Sequence, residues 1–330
     1  MSSADEAGRR KDLMTQRWLA IGAGVGFAYG IIIRLIAQGK GDYGVMTAAF
    51  VCAMPFALGF LSVFLAEIKQ PTRIWIRCLL PWVPLASALG VMMLVLLEGS
   101  ICVILFAPIG MVRATLGGIA AGVVGGMVRS RRSRHMTLGC VALLPFLIVP
   151  WEGHVLHRLE MRDVENVIDI HAPAEVVWKN IERVPLIRKD ELGFSWSRSI
   201  GLPDPLEATL SHEGIGGVRQ ASFERGLSFV ETVDVWEPQQ RLAFSIRANP
   251  IPRETLDEHV TVGGPYFDVL RGGYRLEPLP NGTLRLHLSS QHRLSTDFNW
   301  YAHIWTDAMM SDLQSNILLV IRKRCERLAH

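Results

Sequence analysis

The chain has no C-x-x-C pair, no Cys/His spacing of the metal-binding kind, no Walker loop, no G-x-S-x-G and no H-E-x-x-H. Zinc, nucleotide-phosphate and serine-hydrolase chemistry therefore lack their usual sequence supports, and no cofactor or metal is expected. Four of the five cysteines (Cys52, Cys78, Cys102, Cys140) lie in apolar stretches, and Cys325 alone lies in the second half. A single cysteine cannot staple that half, so it must stand on its own core. Acidic residues are scarce up to Asp163, with 9 Asp/Glu against 16 Lys/Arg, a net of +7. From Val164 onward the count reverses to 22 against 18, a net of −4. An acidic second half carries no nucleic-acid footprint, and a basic excess flanking apolar runs is the pattern of membrane topology.

What is present in the first half is hydrophobic length. Apolar segments cover residues 18–37, 44–68, 78–97, 101–128 and 136–151. A spanning helix needs about 20 apolar residues to cross a core of roughly 30 Å. The first three fit. The fourth is long and interrupted by Pro108 and Arg113, which reads as a short interfacial or re-entrant piece at 101–109 before a span at 110–128. The fifth is short. Lys and Arg alternate between loops: Arg9, Arg10, Lys11 and Arg17 before the first segment, Lys69, Arg73 and Arg77 in the second loop, Arg129, Arg131, Arg132 and Arg134 in the fourth. By the positive-inside rule the N-terminus is cytoplasmic. Five crossings would put the second half outside the cytoplasm, and four would keep it inside. Arg9-Arg10 is read as part of a signal anchor. Arg34 and Arg113 lie within apolar runs and are expected to snorkel to the interface. Gly118, Gly122 and Gly126 recur every four residues, a small-residue face suited to packing within the bundle or to a homo-oligomer seam.

A new texture starts near Val164. Val164, Asn166, Ile168 and Ile170 alternate with polar residues as a strand, Pro173 suits a helix start, and 174–184 has helical spacing. Strands are expected at 207–213, 217–224, 228–236, 241–247 and 282–294, with a pair of strands within 260–278. A long helix over 301–328 closes the chain, with Trp305, Met309, Leu313, Ile317 and Ile321 as its apolar stripe. The expected layout is a cytoplasmic tail at 1–17, a transmembrane domain at 18–152, a linker at 153–163 and a soluble domain at 164–330.

Four stretches carry a family resemblance: V-I-D-I-H-A-P-A-E-V-V-W at 167–178, E-G-I-G-G-V-R at 213–219, V-D-V-W-E-P-Q-Q-R-L at 233–242, and the run from Trp305 through L-L-V-I-R-K-R-C-E. They resemble the START/birch-pollen-allergen superfamily (SRPBCC, polyketide cyclase and lipid-transfer proteins). The resemblance covers half the chain and rests on structural rather than catalytic motifs. It implies an α+β helix-grip fold, a curved antiparallel sheet around the long C-terminal helix, following an all-α transmembrane bundle. It further implies a cavity for an apolar small molecule or lipid.

Strand parity selects the polar residues that would face such a cavity: Glu231, Tyr274 and His292, with Ser290 sharing the face of His292. Arg219 is a candidate anion partner, though a surface salt bridge explains it as well, and Trp305 is a candidate cavity wall or core residue. The expected function is a membrane-tethered domain that binds an apolar molecule. Alternatives are a cyclase or dehydratase using Glu231 or His292 as general acid/base, and an assembly protein whose cavity is filled. The Gly214-Ile-Gly216-Gly217 loop joins two strands and reads as a hairpin rather than a phosphate cradle. Glu152, His154, His157 and Glu160 read as membrane-edge polarity, and Asn281-Gly-Thr as a hairpin turn.

Overall fold

The computed structural model describes residues 3–37, 46–128, 131–155, 159–250, 261–280 and 282–328, with side chains from Leu13 onward and excluding those of Arg131 and 153–155. His154, as a side chain, and His157 and Asn281 lie outside the described residues. The chain divides into two compact units, Met1–His157 and Arg158–His330.

The first unit is helical: α1 (Ser3–Ile36), a π-helical turn (Ala49–Ala53) leading into α2 (Met54–Glu67), α3 (Ile74–Leu79), α4 (Trp82–Leu94), α5 (Ser100–Met127), α6 (Arg131–Ala142) and α7 (Leu144–Val155). Four helical stretches are long and apolar enough to cross a membrane: Leu13–Ile36, Ala49–Glu67, Ile74–Leu94 and Ser100–Met127. The segment over α6 and α7 would be a fifth, bent by 41°.

Helix α2 is apolar on every side and is buried at all positions except Phe56 and Leu65, as expected of a helix with no polar stripe. Small residues let its neighbours approach: a Cβ on Gly59 would collide with the Ala114 backbone, and one on Gly117 with the Phe56 carbonyl. Gly118 and Gly122 are used in the same way, against Arg77 and Pro81 of the chain's own α3–α4 region, whereas Gly126 faces open space. Their small size is thus explained by packing within the bundle.

Three sequence expectations are corrected here. Residues 101–109 are not a separate re-entrant piece, because α5 runs unbroken through Pro108. A proline removes one N–H donor and one turn's contact, which neighbouring helices make up for in a bundle. Arg34 does not snorkel: it is 3% exposed and its Nε donates to Glu98 Oε1 at 2.5 Å, with Nη2 on the Leu97 carbonyl at 2.9 Å. Arg113, in mid-α5, lies beside Cys52. Glu152 itself is buried and accepts the Ala49 N–H at 2.7 Å, so it caps the π-helical turn rather than decorating an edge.

The second unit is β1 (Glu160–Ile170), α8 (Ala174–Glu182), α9 (Trp196–Ser199), β2 (Pro205–Leu210), β3 (Val218–Phe223), β4 (Ser228–Glu237), β5 (Arg241–Ala248), β6 (Phe267–Pro278), β7 (Leu284–Leu294) and α10 (Asn299–Leu328). The strands form one antiparallel sheet in the order β1-β7-β6-β5-β4-β3-β2, curled around α10. This is the helix-grip arrangement. Its core joins Val177, Trp178 and Ile181 of α8 to Leu242, Phe244, Leu276, Leu286 and Leu288 of the sheet, and to Leu318, Ile321 and Cys325 of α10.

Strand β1 starts at Glu160, inside the stretch read as a linker, because Arg162 continues the inward parity of Val164 and finds Asp307 on α10. Among the described residues of the region 260–278 there is one long strand, not a pair. Gly272 and Gly273 look like a turn in sequence but sit mid-strand, where a Cβ would be 2.8 Å from the Phe244 ring and from the Leu242 carbonyl respectively. The glycine loop is a hairpin: Gly214 and Gly216 adopt positive φ, and Gly216 and Gly217 bond Val233. Along α10 the deepest line is Gln314, Leu318, Ile321 and Cys325, rotated from the expected stripe, of which Leu313 and Ile317 are only half-buried.

Candidate functional site

Two polar clusters lie on the sheet face that grips α10, one towards each edge of the sheet. The first joins β3, β4 and β6. Arg219 and Glu231 are direct partners in the β3–β4 ladder and their side chains form an ion pair. Both are buried, which corrects the reading of Arg219 as a surface residue. The guanidinium also stands 5.3 Å from the Phe244 ring centroid and 6.0 Å from that of Tyr274, within cation–π reach, and it bonds the Tyr274 hydroxyl. Desolvation pushes the Glu231 carboxyl above the ordinary range while Arg219 opposes it. Burial also raises the Tyr274 phenol. A β-bulge between Val233 and Val235 shifts the strand parity, so Phe229, Glu231 and Val233 face inward and Trp236 does too, meeting Trp178 edge-on at 5.2 Å. Strict period-two alternation would put Val235 on the face of Val233 and does not contain that shift.

The second cluster joins β1, β7 and α10. His292 is wholly buried. Its Nε2 is 3.3 Å from Thr306 Oγ1 and 3.4 Å from Asp307 Oδ1. Asp307 is gripped by Arg162, whose Nη2 donates to Oδ2 at 2.6 Å while Nε reaches both oxygens at 3.1 Å. Two residues along β7, Ser290 accepts from Gln314 Nε2 at 2.7 Å, and the same nitrogen reaches the Val164 carbonyl at 3.1 Å. Burial holds the His292 imidazole below its usual pKa, with Asp307 opposing, so the ring is neutral near pH 7. Aromatic rings gather at this end: Phe267 lies 5.4 Å from His292, and Trp305 lies 6.4 Å from Trp196 and 6.3 Å from Tyr301.

The two clusters differ in how completely they are satisfied. Among the polar atoms of this unit buried without a partner are Arg219 Nε, His292 Nδ1, Gln314 Oε1 and Trp305 Nε1. Three of these four belong to the second cluster or to α10 beside it. Of the five residues selected from sequence, Arg219, Glu231 and Tyr274 come together, whereas His292 and Trp305 belong to the other end. Arg162, Thr306, Asp307 and Gln314 were missed as site residues. Asp307 lies towards the start of α10, where an acidic residue needs no partner to explain it; the signal that could have found it is the inward parity of Arg162 on β1, a cation that requires one. Among the described residues no group of three or more His, Cys, Asp or Glu side chains is arranged to hold a metal ion.

Fold and site together define a helix-grip domain with a polar-spotted interior, carried behind a helical bundle. No protein-family profile matches the chain, and no curated protein matches it in sequence. Solved structures similar to it include a START superfamily protein from Mycobacterium smegmatis, with 10% identity over 50% of this chain and 98% of that one, at a TM-score of 0.33. Another is the Zhui aromatase/cyclase from Streptomyces, with 15% identity over 51% of this chain and 96% of that one, at 0.31. DynU16, from the dynemicin biosynthetic locus, has 16% identity over 47% of this chain at 0.28, and this chain spans only 45% of it. In each case the similarity covers about half of this chain.

Proposed function

We propose that this chain is a membrane-held helix-grip domain that takes an apolar small molecule between its sheet and α10. One observation carries this reading: the interior is lined by core side chains, yet His292 Nδ1, Gln314 Oε1, Trp305 Nε1 and Arg219 Nε are buried there without partners. A buried polar atom left unpaired costs roughly 1–3 kcal/mol, and a bound molecule with complementary groups offsets that cost. Native mass spectrometry of the intact chain in detergent, with solvent extraction of what co-purifies, tests it. A defined apolar molecule at one per chain is the expected result. A chain that arrives empty from several hosts and takes up no apolar probe overturns the reading and favours a filled, structural interior. The cyclase or dehydratase version loses Glu231 as its acid/base, because that carboxylate is committed to Arg219.

The same reading places the domain on the side opposite the cytoplasmic N-terminus. The contacts of the bent fifth segment support a crossing. Leu138 and Val141 of α6 pack with Phe60 and Phe64, in the C-terminal half of α2, and Phe146 of α7 packs with Met54 and Leu58. Glu152 then reaches the Ala49 N–H at the start of the π-helical turn. The pair thus follows α2 from one end to the other. A C-terminal alkaline phosphatase fusion is expected to be active and a GFP fusion dark. The reverse pattern sinks the five-span topology.

A further inference from the structure

The proton on His292 can be placed from its neighbours. The Thr306 hydroxyl lies 3.4 Å from the His303 carbonyl, one turn back along α10, and donates its single proton there. Its oxygen is therefore the acceptor towards His292 Nε2. The other group beside Nε2 is Asp307, a carboxylate that only accepts. With acceptors on that side alone, the neutral ring carries its proton on Nε2 and its lone pair on Nδ1. Nδ1 has no partner, although the side chain is 0% exposed. Arg162 holds Asp307 by both oxygens, so the ring is aimed, not loosely packed. An oriented, desolvated acceptor with aromatic rings beside it is the form of a recognition group.

We infer that His292 Nδ1 accepts a hydrogen bond from an O–H or N–H donor on a flat, otherwise apolar ligand, such as a phenolic or enolic ring. The inference rests on the ligand-binding reading and deepens it. Phe267, with its ring centroid 5.4 Å from that of His292, supplies an aromatic surface for a planar molecule. Asp307, Arg162 and Thr306 are positioning residues that keep the lone pair pointing inward.

A matched probe pair isolates the donor. 2-Naphthol and 2-methoxynaphthalene differ by replacement of the hydroxyl proton with a methyl group. Their dissociation constants are measured on the intact chain in detergent, by tryptophan fluorescence, at pH 7.5. The naphthol is expected to bind at least about tenfold more tightly, the margin that a site built for one donor makes against an analogue lacking it. His292→Phe is expected to bring the ratio to about one while both probes still bind. A second readout needs no variant. In acid, Nδ1 gains a proton and becomes a donor, so the preference for the naphthol should vanish in the unaltered chain. The charged groups within electrostatic range of the ring are Asp307 on α10 and Glu160, Arg162 and Asp163 on β1. Equal binding of both probes by the unaltered chain, or a preference that survives in His292→Phe, overturns the assignment and leaves the cavity standing. Binding of neither probe removes the assignment and the cavity together.

Discussion

The two ends of the sheet bury polar groups in opposite ways. Under β3, β4 and β6 the buried groups, Arg219 Nε apart, answer one another: a cation, a carboxylate, a phenol and a ring face. Under β1 and β7 the buried groups are aimed by partners on one side and lack a hydrogen-bond partner on the other. Burial by itself therefore does not mark a site. Glu231 and His292 are both deeply buried, yet only His292 has an atom left over for a visitor. In the first unit Arg34 is paired with Glu98 and Arg77 with Glu67.

The largest expected effect comes from opening the closed end. Glu231→Leu leaves a guanidinium that cannot deprotonate, uncompensated in the core, and should destabilise the second unit by about 3–5 kcal/mol. The double variant Arg219→Met with Glu231→Leu should regain most of that loss, since a buried ion pair stabilises little more than well-packed apolar side chains. Thermal unfolding of the intact chain, read from the transition of the sheet unit, gives the cycle. A double variant as unstable as the single one would mean that the pair specifies the fold rather than balancing its own charges.

How much of this contrast was legible in the sequence depends on the kind of signal. Period-two alternation placed Ser290 and His292 on the inner face of β7, Glu231 on that of β4 and Tyr274 with Leu276. Most strand positions followed for the same reason. What alternation cannot contain is a register shift, so the bulge after Val233 hid the inward turn of Trp236. Turn residues misled where their role was close approach, as at Gly272 and Gly273. In the first unit, hydropathy found the long apolar helices but could not see that Arg34 has Glu98, because a partner 64 positions away leaves no local pattern. Satisfaction is a pairwise property of the folded chain. The difference between the closed and open ends was therefore outside the reach of any single-strand reading.

A middle-sized effect sharpens the contrast by testing a charge cluster that docks a loop rather than sealing a core. Glu191 is buried and accepts from Arg324 through both oxygens at 2.8 Å, from Arg327 at 3.3 Å, and from the Arg188 backbone N–H. The Arg324 hydrogen bonds lead in lowering its carboxyl from 4.5 to about 2. A depressed native pKa means that the unfolded chain binds the proton first. The stabilisation is fully present above about 4.5 and is lost as pH falls towards about 2. It amounts to at most about 3 kcal/mol, and Glu191→Gln should flatten that acid limb of the stability profile. An unchanged acid limb would transfer the effect to other carboxylates.

The smallest effect belongs to the open end and is the sharper test of its difference. If His292 is held for a ligand rather than for the fold, replacing it should cost little in stability. His292→Phe removes one 3.3 Å bond to Thr306 and the neighbouring Asp307, and it also removes a buried unpaired nitrogen. These oppose each other, so a change within about 1 kcal/mol is expected at pH 7.5. The pH dependence has a defined sign. Burial holds the native imidazole below its ordinary 6.5, so its share of stability is present above 6.5 and falls away as pH drops through the lowered value. The Phe variant should therefore lose less stability than the unaltered chain between pH 7 and pH 5, even if it matches it at pH 7.5. A loss of several kcal/mol at pH 7.5 would instead make His292 a core residue of the Glu231 kind, and the contrast between the two ends of the sheet would disappear.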